Sequence, residues 1–280
     1  MNQSKHVLSN PWQALRGLTQ ARIALGRSGV SVPTSAQLDF QLAHARARDA
    51  VHMALDADAL AAALAGDGHA CITVHSACPD RAAYLQRPDL GRVLDAPSRA
   101  ALLAVAPRSC DLALVIGDGL SALAIEQNAQ AFVAVLLARL CKGNGQENAQ
   151  EFEQKKEAEQ WNLGPIVIAS QARVAIGDEI GALLNARAVA VLIGERPGLS
   201  SPDSMGIYLS WAPRVGLTDA DRNCISNVRP AGLSYDEAAY RLHYLLTQAR
   251  QRGISGVLLK DDTVAEGGLP AAGKGNFLLR

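Results

Sequence analysis

The run LALVIGDGLSALAIEQNAQAFVAVLLARLC occupies residues 112–141 and decides the fold class of this 280-residue chain. Its first five residues are apolar throughout, as expected for a strand that is buried on both faces. A glycine-punctuated turn follows, and the Ala- and Leu-rich remainder predicts a helix over residues 120–141. A buried strand that leads directly into a long helix is typical of an α/β protein.

The same pattern of strands and helices continues on both sides of this run. We expect strands at residues 72–76, 165–170, 188–194 and 206–211, and a helix at 178–185. Strands that alternate with helices predict a mostly parallel, doubly wound sheet. Ser234 and Glu237 form a capping box that starts a last long helix, which ends at Gly253.

The N-terminal part of the chain carries helix signals only. Asn10 and Pro11 predict a helix to about residue 27, and Thr34 opens helical sequence that continues to about residue 65. We therefore expect a small helical domain at residues 1–66, followed by the α/β domain at residues 67–280. Residues 142–160 are polar and charged, so we expect an exposed insertion there, and the Gly-rich tail is expected to be loose.

Composition excludes several classes of protein. Lys and Arg total 27, as do Asp and Glu, and this balance argues against a nucleic-acid-binding or membrane-surface protein. The apolar runs are shorter than the roughly 20 residues of a membrane-spanning helix, and no signal-peptide pattern begins the sequence. The five cysteines have no CxxC spacing, which disfavours disulfides and zinc and favours a reducing cytosol.

The turn at Gly117, Asp118 and Gly119 is the first candidate site. Up to Ala122 it reads GxGxxA between a strand and a helix, where backbone N–H groups can hold a phosphate. It offers the alternative of an NAD-dependent oxidoreductase that uses the Gly117–Ala122 turn. However, no acidic residue follows about 20 residues later to accept from the ribose hydroxyl, and a tight structural turn explains the glycines equally.

Three further segments hold polar groups in loop-like contexts. Glu195 follows a buried strand, where open α/β sheets bind ligands, although an ion pair with a neighbouring arginine is the competing interpretation. Cys224 lies in the polar run at residues 221–227, yet a small buried filler is the commoner role of a cysteine. The segment at residues 84–92 offers two arginines to a partner, or is a solvated loop. The histidines form no metal-binding pair, and no GxSxG elbow is present.

Taken together, these segments resemble one family. ARIALGRSG, DRAAYLQRPDLGR, IGDGLSALA, ARVAIGDEIG, GERPGLSSPDS and DRNCISN occur in this order between residues 21 and 227. This series resembles the small subunit of ethanolamine ammonia-lyase from about residue 10 to residue 256. The number and order of the matches make the resemblance specific.

The resemblance implies a Rossmann-like domain after the helical N-terminal unit, and a radical lyase built from two kinds of subunit. Ethanolamine becomes acetaldehyde and ammonia, starting from homolysis of the cobalt–carbon bond of adenosylcobalamin. A larger barrel subunit would hold ethanolamine and most catalytic groups. The hetero-oligomer would therefore be active, whereas this chain alone would not. A bacterial cytoplasmic location is implied. A microcompartment is an option that the short N-terminus weakens, because some relatives carry a long leader.

The family's small subunit touches cobalamin at positions that correspond to Val174, Glu195 and Cys224. Val174 would pack on the corrin rim or offer its backbone, Glu195 would accept from corrin amides, and Cys224 would be an uncharged contact. The segment at His69 begins like the DxHxxG motif for a lower cobalt ligand, but Ile72 replaces the glycine. The cofactor would therefore keep its own benzimidazole on cobalt, and we predict neither catalytic residues nor metal ligands in this chain.

Overall fold

The computed structural model describes residues 7–106, 109–142 and 161–263. The strands are β1 (Cys71–His75), β2 (Cys110–Gly117), β3 (Ile166–Ser170), β4 (Ala186–Gly194), β5 (Met205–Trp211) and β6 (Arg222–Val228). The helices are α1 (Thr34–His52), α2 (Ala57–Gly66), α3 (Arg81–Gln86), α4 (Ala96–Val105), α5 (Ala122–Lys142), α6 (Ile176–Leu183) and α7 (Tyr235–Arg252). The predicted strands and the central strand–turn–helix unit are confirmed, with small shifts at their ends.

The sheet is α/β as predicted, but it is mixed. Its strand order is β1-β3-β2-β4-β5-β6, with β1 to β4 parallel and both β5 and β6 antiparallel to their neighbours. The prediction of a mostly parallel, doubly wound sheet therefore does not extend to its last two strands. Residues 195–204 and 212–221, all described, hold loops and one short 3-10 turn, and parallel pairing would need a longer crossover.

Helices cover both faces of the parallel part. One face carries α2, α5 and α7, and its core includes Leu112, Phe132 and Leu242. The other face carries α4 and α6, and its core includes Leu102 and Ile180. We call these the α5 face and the α6 face. Strands β2 to β4 are buried on both, which explains their continuous apolar sequence.

Strand β6 corrects the loop predicted at residues 221–227. Ile225 is buried on the α5 face, whereas Cys224 and Ser226 point to the α6 face and are exposed. The side-chain amide of Asn223 donates to the carbonyls of Gly256 and Leu259, at 3.2 and 2.7 Å. The sequence pattern did not reveal this strand, because one of its faces is exposed to solvent and the other carries the polar Asn223, which holds a neighbouring turn.

The N-terminal helix predicted for residues 10–27 is wrong. Asn10 caps a helical segment as predicted, by accepting from the N–H of Trp12 at 2.9 Å, but that segment is a 3-10 helix, Pro11–Gly17. None of its residues is buried, so the described part of the chain gives this segment little of the packing that a longer helix needs. The chain instead pairs Leu8 with Arg27.

Helices α1 and α2 confirm the helical sequence predicted from Thr34 to about residue 65, although a break separates them. Helix α1 buries only Ala50, whereas Leu60 and Leu64 of α2 join the core of the α5 face. The domain boundary at residue 66 stays a prediction.

The C-terminal helix forms as its sequence predicts. Ser234 accepts from the N–H of Glu237, and Gly253 ends α7 in the left-handed conformation. The exposed insertion expected at residues 142–160 lies outside the described residues apart from Lys142, and so does the tail from residue 264. Within the described ranges, no helix is long and apolar enough to cross a membrane.

Candidate functional site

The three residues implied by the resemblance lie on the α6 face, towards the carboxyl ends of the parallel strands. Val174 lies in the turn between β3 and α6, and Glu195 follows β4 directly. Cys224 of β6 is opposite Tyr208 of β5. Val174 and Tyr208 both pack against the core of the α6 face, so the strand register brings all these residues to one side of the sheet.

Glu195 is half-buried and held from two directions. The hydroxyl of Ser204 and the backbone N–H of Asn227, at 3.3 Å, both donate to its Oε2. Its other oxygen lies over Gly206, where a Cβ atom would be only 2.9 Å from Oε1. Among the described residues, its hydrogen-bond partners are thus a hydroxyl and a backbone amide, rather than the arginine of the competing interpretation. Oε1 remains available as an acceptor among the described residues.

Cys224 is exposed, which excludes its interpretation as a buried filler. Its Sγ lies 3.3 Å from the hydroxyl of Ser226 and beside the hydroxyl of Tyr208. Burial raises the pKa of Tyr208, and the neighbouring Cys224 and Glu195 raise it further. The phenol is therefore neutral and able to donate at physiological pH.

Tyr208 is the residue of this face that the sequence reasoning missed. It lies opposite Cys224 in the sheet and close enough to Glu195 for the negative charge of that carboxylate to raise its pKa. Gly206, Tyr208 and Ser210 share a face through the two-residue period of β5, and this period was the available signal. We call Glu195, Tyr208, Cys224 and Ser226 the shelf.

Val174 presents a half-buried apolar side chain beside the core of the α6 face. Its backbone carbonyl already accepts from the N–H of Gly177 at 3.1 Å, at the start of α6. Of the two roles expected for Val174, apolar packing is therefore the one that its geometry favours.

A buried ion pair joins α6 to the start of β6, two residues before Cys224. Arg222 donates to Asp178, and both side chains are 3% exposed. Burial raises the pKa of Asp178 to about 6, although the positive charge of Arg222 opposes this rise. The pair connects the helix that follows Val174 to the strand that carries Cys224.

The Gly117–Ala122 turn is filled by protein, so the dinucleotide alternative is not supported. Gly119 has φ +58°, and a Cβ there would lie 2.2 Å from the carbonyl oxygen of Gly194. The N–H of Leu120 donates to that same oxygen at 3.0 Å. A pyrophosphate needs free N–H groups and space at this turn, and the close approach of β4 removes both.

The remaining candidates do not join the shelf. Arg87 forms an exposed ion pair with Asp89 at 2.7 Å, within a segment that is partly helical as α3. His69 precedes β1 and so lies at the opposite edge of the sheet. Within the described residues, no group of at least three His, Cys, Asp or Glu side chains could hold a metal ion.

Comparisons with known proteins agree over almost the whole chain. The family model of the ethanolamine ammonia-lyase light chain (EutC) matches residues 9–260. The ethanolamine ammonia-lyase small subunit of Ralstonia nicotianae is 56% identical over 276 residues, covering 98% of this chain and 96% of that protein. The small subunit of Pseudomonas putida strain W619 is 53% identical, with 96% of each chain covered. That of Pseudomonas syringae pv. tomato is 56% identical over 263 residues, 93% of this chain and 86% of the relative.

Proposed function

The chain belongs to the ethanolamine ammonia-lyase light-chain family, and from this premise we propose that its shelf binds the cofactor of that lyase. The reaction would convert ethanolamine to acetaldehyde and ammonia, with this chain as the small subunit of a hetero-oligomer. The observation that carries the proposal is the carboxylate of Glu195, held over Gly206 beside Tyr208 and Cys224. An oriented acceptor on an uncovered sheet face is suited to a ligand with amide donors.

The residues present fit adenosylcobalamin. A corrin ring has an apolar edge and a rim of amide side chains, which need both apolar contact and hydrogen-bond partners. Val174 offers the first, and Oε1 of Glu195 and the hydroxyl of Tyr208 offer the second. When bound, adenosylcobalamin supplies the carbon-centred radical that begins the reaction.

This chain would orient the cofactor and would not ligate its cobalt. Glu195 would accept from an amide of the rim, and Val174 would exclude water from the corrin edge. The thiol of Cys224 lies beside hydroxyl groups of Ser226 and Tyr208 and would make an uncharged contact. His69, at the other edge of the sheet, is remote from this role, which supports retention of benzimidazole as the lower ligand.

We assign the α/β part to the Rossmann-like class on the basis of its four parallel strands and the helices on both their faces. The antiparallel β5 and β6 extend that core. We place its boundary with the N-terminal helical unit at residue 66.

The partner would be the large subunit, which would hold ethanolamine and the catalytic groups. The name small subunit, borne by the relatives, supports a hetero-oligomer. The uncovered shelf supports a cofactor enclosed between two subunits, since the radical reaction needs protection from solvent. We propose that the assembly works in the bacterial cytoplasm, either free or inside a microcompartment.

Reconstitution tests the proposal directly. This chain is co-expressed with its cognate large subunit, and the complex is titrated with adenosylcobalamin by absorbance and assayed for acetaldehyde from ethanolamine. We expect tight binding and turnover only when both chains are present. Turnover could also need both chains while Glu195→Ala and Cys224→Ala together leave the affinity for cobalamin unchanged. That result would instead indicate that this chain only stabilises the large subunit.

A further inference from the structure

Two sequence motifs have no role in the shelf itself, the Gly117–Gly119 turn and the segment at residues 80–92. Both meet at the turn that leads from β3 to Val174, residues 171–174. We propose that Asp118 and Tyr84 are positioning residues that hold this turn and so place Val174 against the corrin. This inference rests on the proposed function, and it gives the glycine-rich turn a purpose other than phosphate binding.

Asp118 holds the beginning of the turn through both its oxygens. Its Oδ2 accepts from the N–H of Gln171 at 3.0 Å and its Oδ1 from the N–H of Ala172 at 2.8 Å. The carboxylate is 3% exposed and lies 3.5 Å from a guanidinium nitrogen of Arg81. A buried carboxylate that accepts two adjacent backbone N–H groups fixes the orientation of both peptides.

Tyr84 holds the same turn from the other side. Its side chain is fully buried, and its hydroxyl donates to the carbonyl of Ala172 at 3.0 Å. The guanidinium carbons of Arg81 and Arg173 lie 4.5 and 4.1 Å from the centre of its ring. The N–H of Arg173 donates to the carbonyl of Gly91 at 2.7 Å. Residues 171 to 173 are thus fixed through their backbone.

The turn needs these contacts because its backbone is strained. Gln171 has φ +53°, in the left-handed region that costs a residue with a side chain about 1–2 kcal/mol. Such a conformation persists only where surrounding contacts impose it. Val174 follows directly and begins the turn into α6, so a loosened turn would displace its side chain.

The decisive variant is Tyr84→Phe, which removes one hydroxyl and keeps the ring against both arginines. Tyr240→Phe is the matched control, because Arg139 also lies over that ring, 5.5 Å from its centre, while Tyr240 is on α7 at the opposite face of the sheet. Both variants are prepared as full-length complexes with the large subunit. Three quantities are measured: the Kd for adenosylcobalamin by absorbance titration, kcat at saturating cofactor, and amide hydrogen exchange of residues 171–174 without cofactor.

We expect Tyr84→Phe to raise the Kd about 3- to 10-fold, as for one lost hydrogen bond. Exchange in residues 171–174 should be faster, kcat should stay within about twofold, and Tyr240→Phe should match the wild type. A purely structural role would reduce the amount of active complex and leave the Kd of the remainder unchanged, and that result would overturn the proposal. If Tyr84→Phe prevents assembly, Asp118→Asn is tested with the same expectations.

The outcomes separate this inference from the proposed function. Wild-type complex that does not bind adenosylcobalamin would refute the proposed function, and the positioning role towards the corrin with it. If Val174→Ala weakens binding of adenosylcobalamin, but neither Tyr84→Phe nor Asp118→Asn changes it, the positioning role alone is refuted. Unchanged exchange in residues 171–174 would refute it without reference to the cofactor.

Discussion

Replacement of Glu195 by glutamine tests the shelf most directly, because it changes one acceptor and almost no volume. In the wild type, Ser204 and Asn227 both donate to Oε2, which leaves Oε1 for the proposed cofactor. Glutamine has a single acceptor oxygen, and the two existing donors will orient it towards themselves. The side-chain NH₂ group then takes the place of Oε1 and presents a donor to the amide N–H groups of the corrin rim.

The expected loss follows from one hydrogen bond to a charged acceptor. Such bonds contribute about 1.5–3 kcal/mol, so the Kd for adenosylcobalamin should rise roughly 10- to 150-fold. Stability should change little, because the contacts with Ser204 and Asn227 are kept. Glu195→Ala removes the same acceptor without placing a donor there, so it should also weaken binding, and it should lower stability because it leaves Ser204 and Asn227 without their acceptor.

The assay is absorbance titration of the apo two-subunit complex with adenosylcobalamin. Glu237→Gln is the matched control, because Glu237 is an exposed residue of α7 that pairs with Arg241 at 3.0 Å, away from the shelf. We expect the control to bind as the wild type does. A correctly assembled Glu195→Gln complex whose Kd stays within about twofold of the wild type would show that the carboxylate does not face a cofactor donor.

Cys224 should react with iodoacetamide in the apo complex and become protected by adenosylcobalamin, while the exposed Cys141 on α5 reports the unprotected rate by mass spectrometry. Gly119→Ala should lower the free energy of unfolding in urea by about 2–5 kcal/mol, because it combines left-handed strain with a Cβ atom 2.2 Å from a backbone oxygen of β4. The control is Gly66→Ala, whose Cβ atom would have no neighbour within 4 Å, and it should lower that free energy by less than about 1 kcal/mol. Burial raises the pKa of Asp178 from 3.8 to about 6, so between about pH 4 and 6 the folded chain holds more protons at this residue than the unfolded chain does. Ionisation of Asp178 should therefore lower the free energy of unfolding by on the order of 3 kcal/mol as the pH rises through this range. Asp178→Asn should remove this fall, and identical slopes of unfolding free energy against pH for both proteins would contradict the assignment.

The core of the fold was predictable because burial leaves a clear pattern in the sequence. Strands β2, β3 and β4 are buried on both faces, and a continuous apolar run is the only composition compatible with that environment. Helix α7 was predictable from its cap residues, which act within a few positions of each other. The prediction of an N-terminal helix failed for the opposite reason: Asn10 caps its start correctly, but none of residues 11–17 is buried in the part of the chain that the structure describes, so packing does not extend the helix.

The shelf was only partly predictable from its residues. Glu195 could be found by position alone, because it follows a buried parallel strand. Cys224 was a candidate from its polar run, although a buried role was the commoner expectation, Val174 came from the resemblance alone, and Tyr208 was missed. Its importance depends on the register that places it opposite Cys224, and this pairing joins residues on two strands whose direction local sequence does not specify.

The error in the predicted sheet and the position of the shelf have one physical origin. A parallel strand after β4 would need a crossover segment, normally a helix, which would cover one face of the sheet. The chain instead returns through loops, so β5 and β6 are antiparallel to their neighbours, and α6 contacts β6 through the Asp178–Arg222 pair. Beyond that pair, Tyr208 is half-exposed and Cys224 and Ser226 are exposed. The departure from a fully parallel sheet therefore leaves the shelf exposed, with room for the broad, flat ligand that we propose, and an added crossover helix at this point would close the shelf.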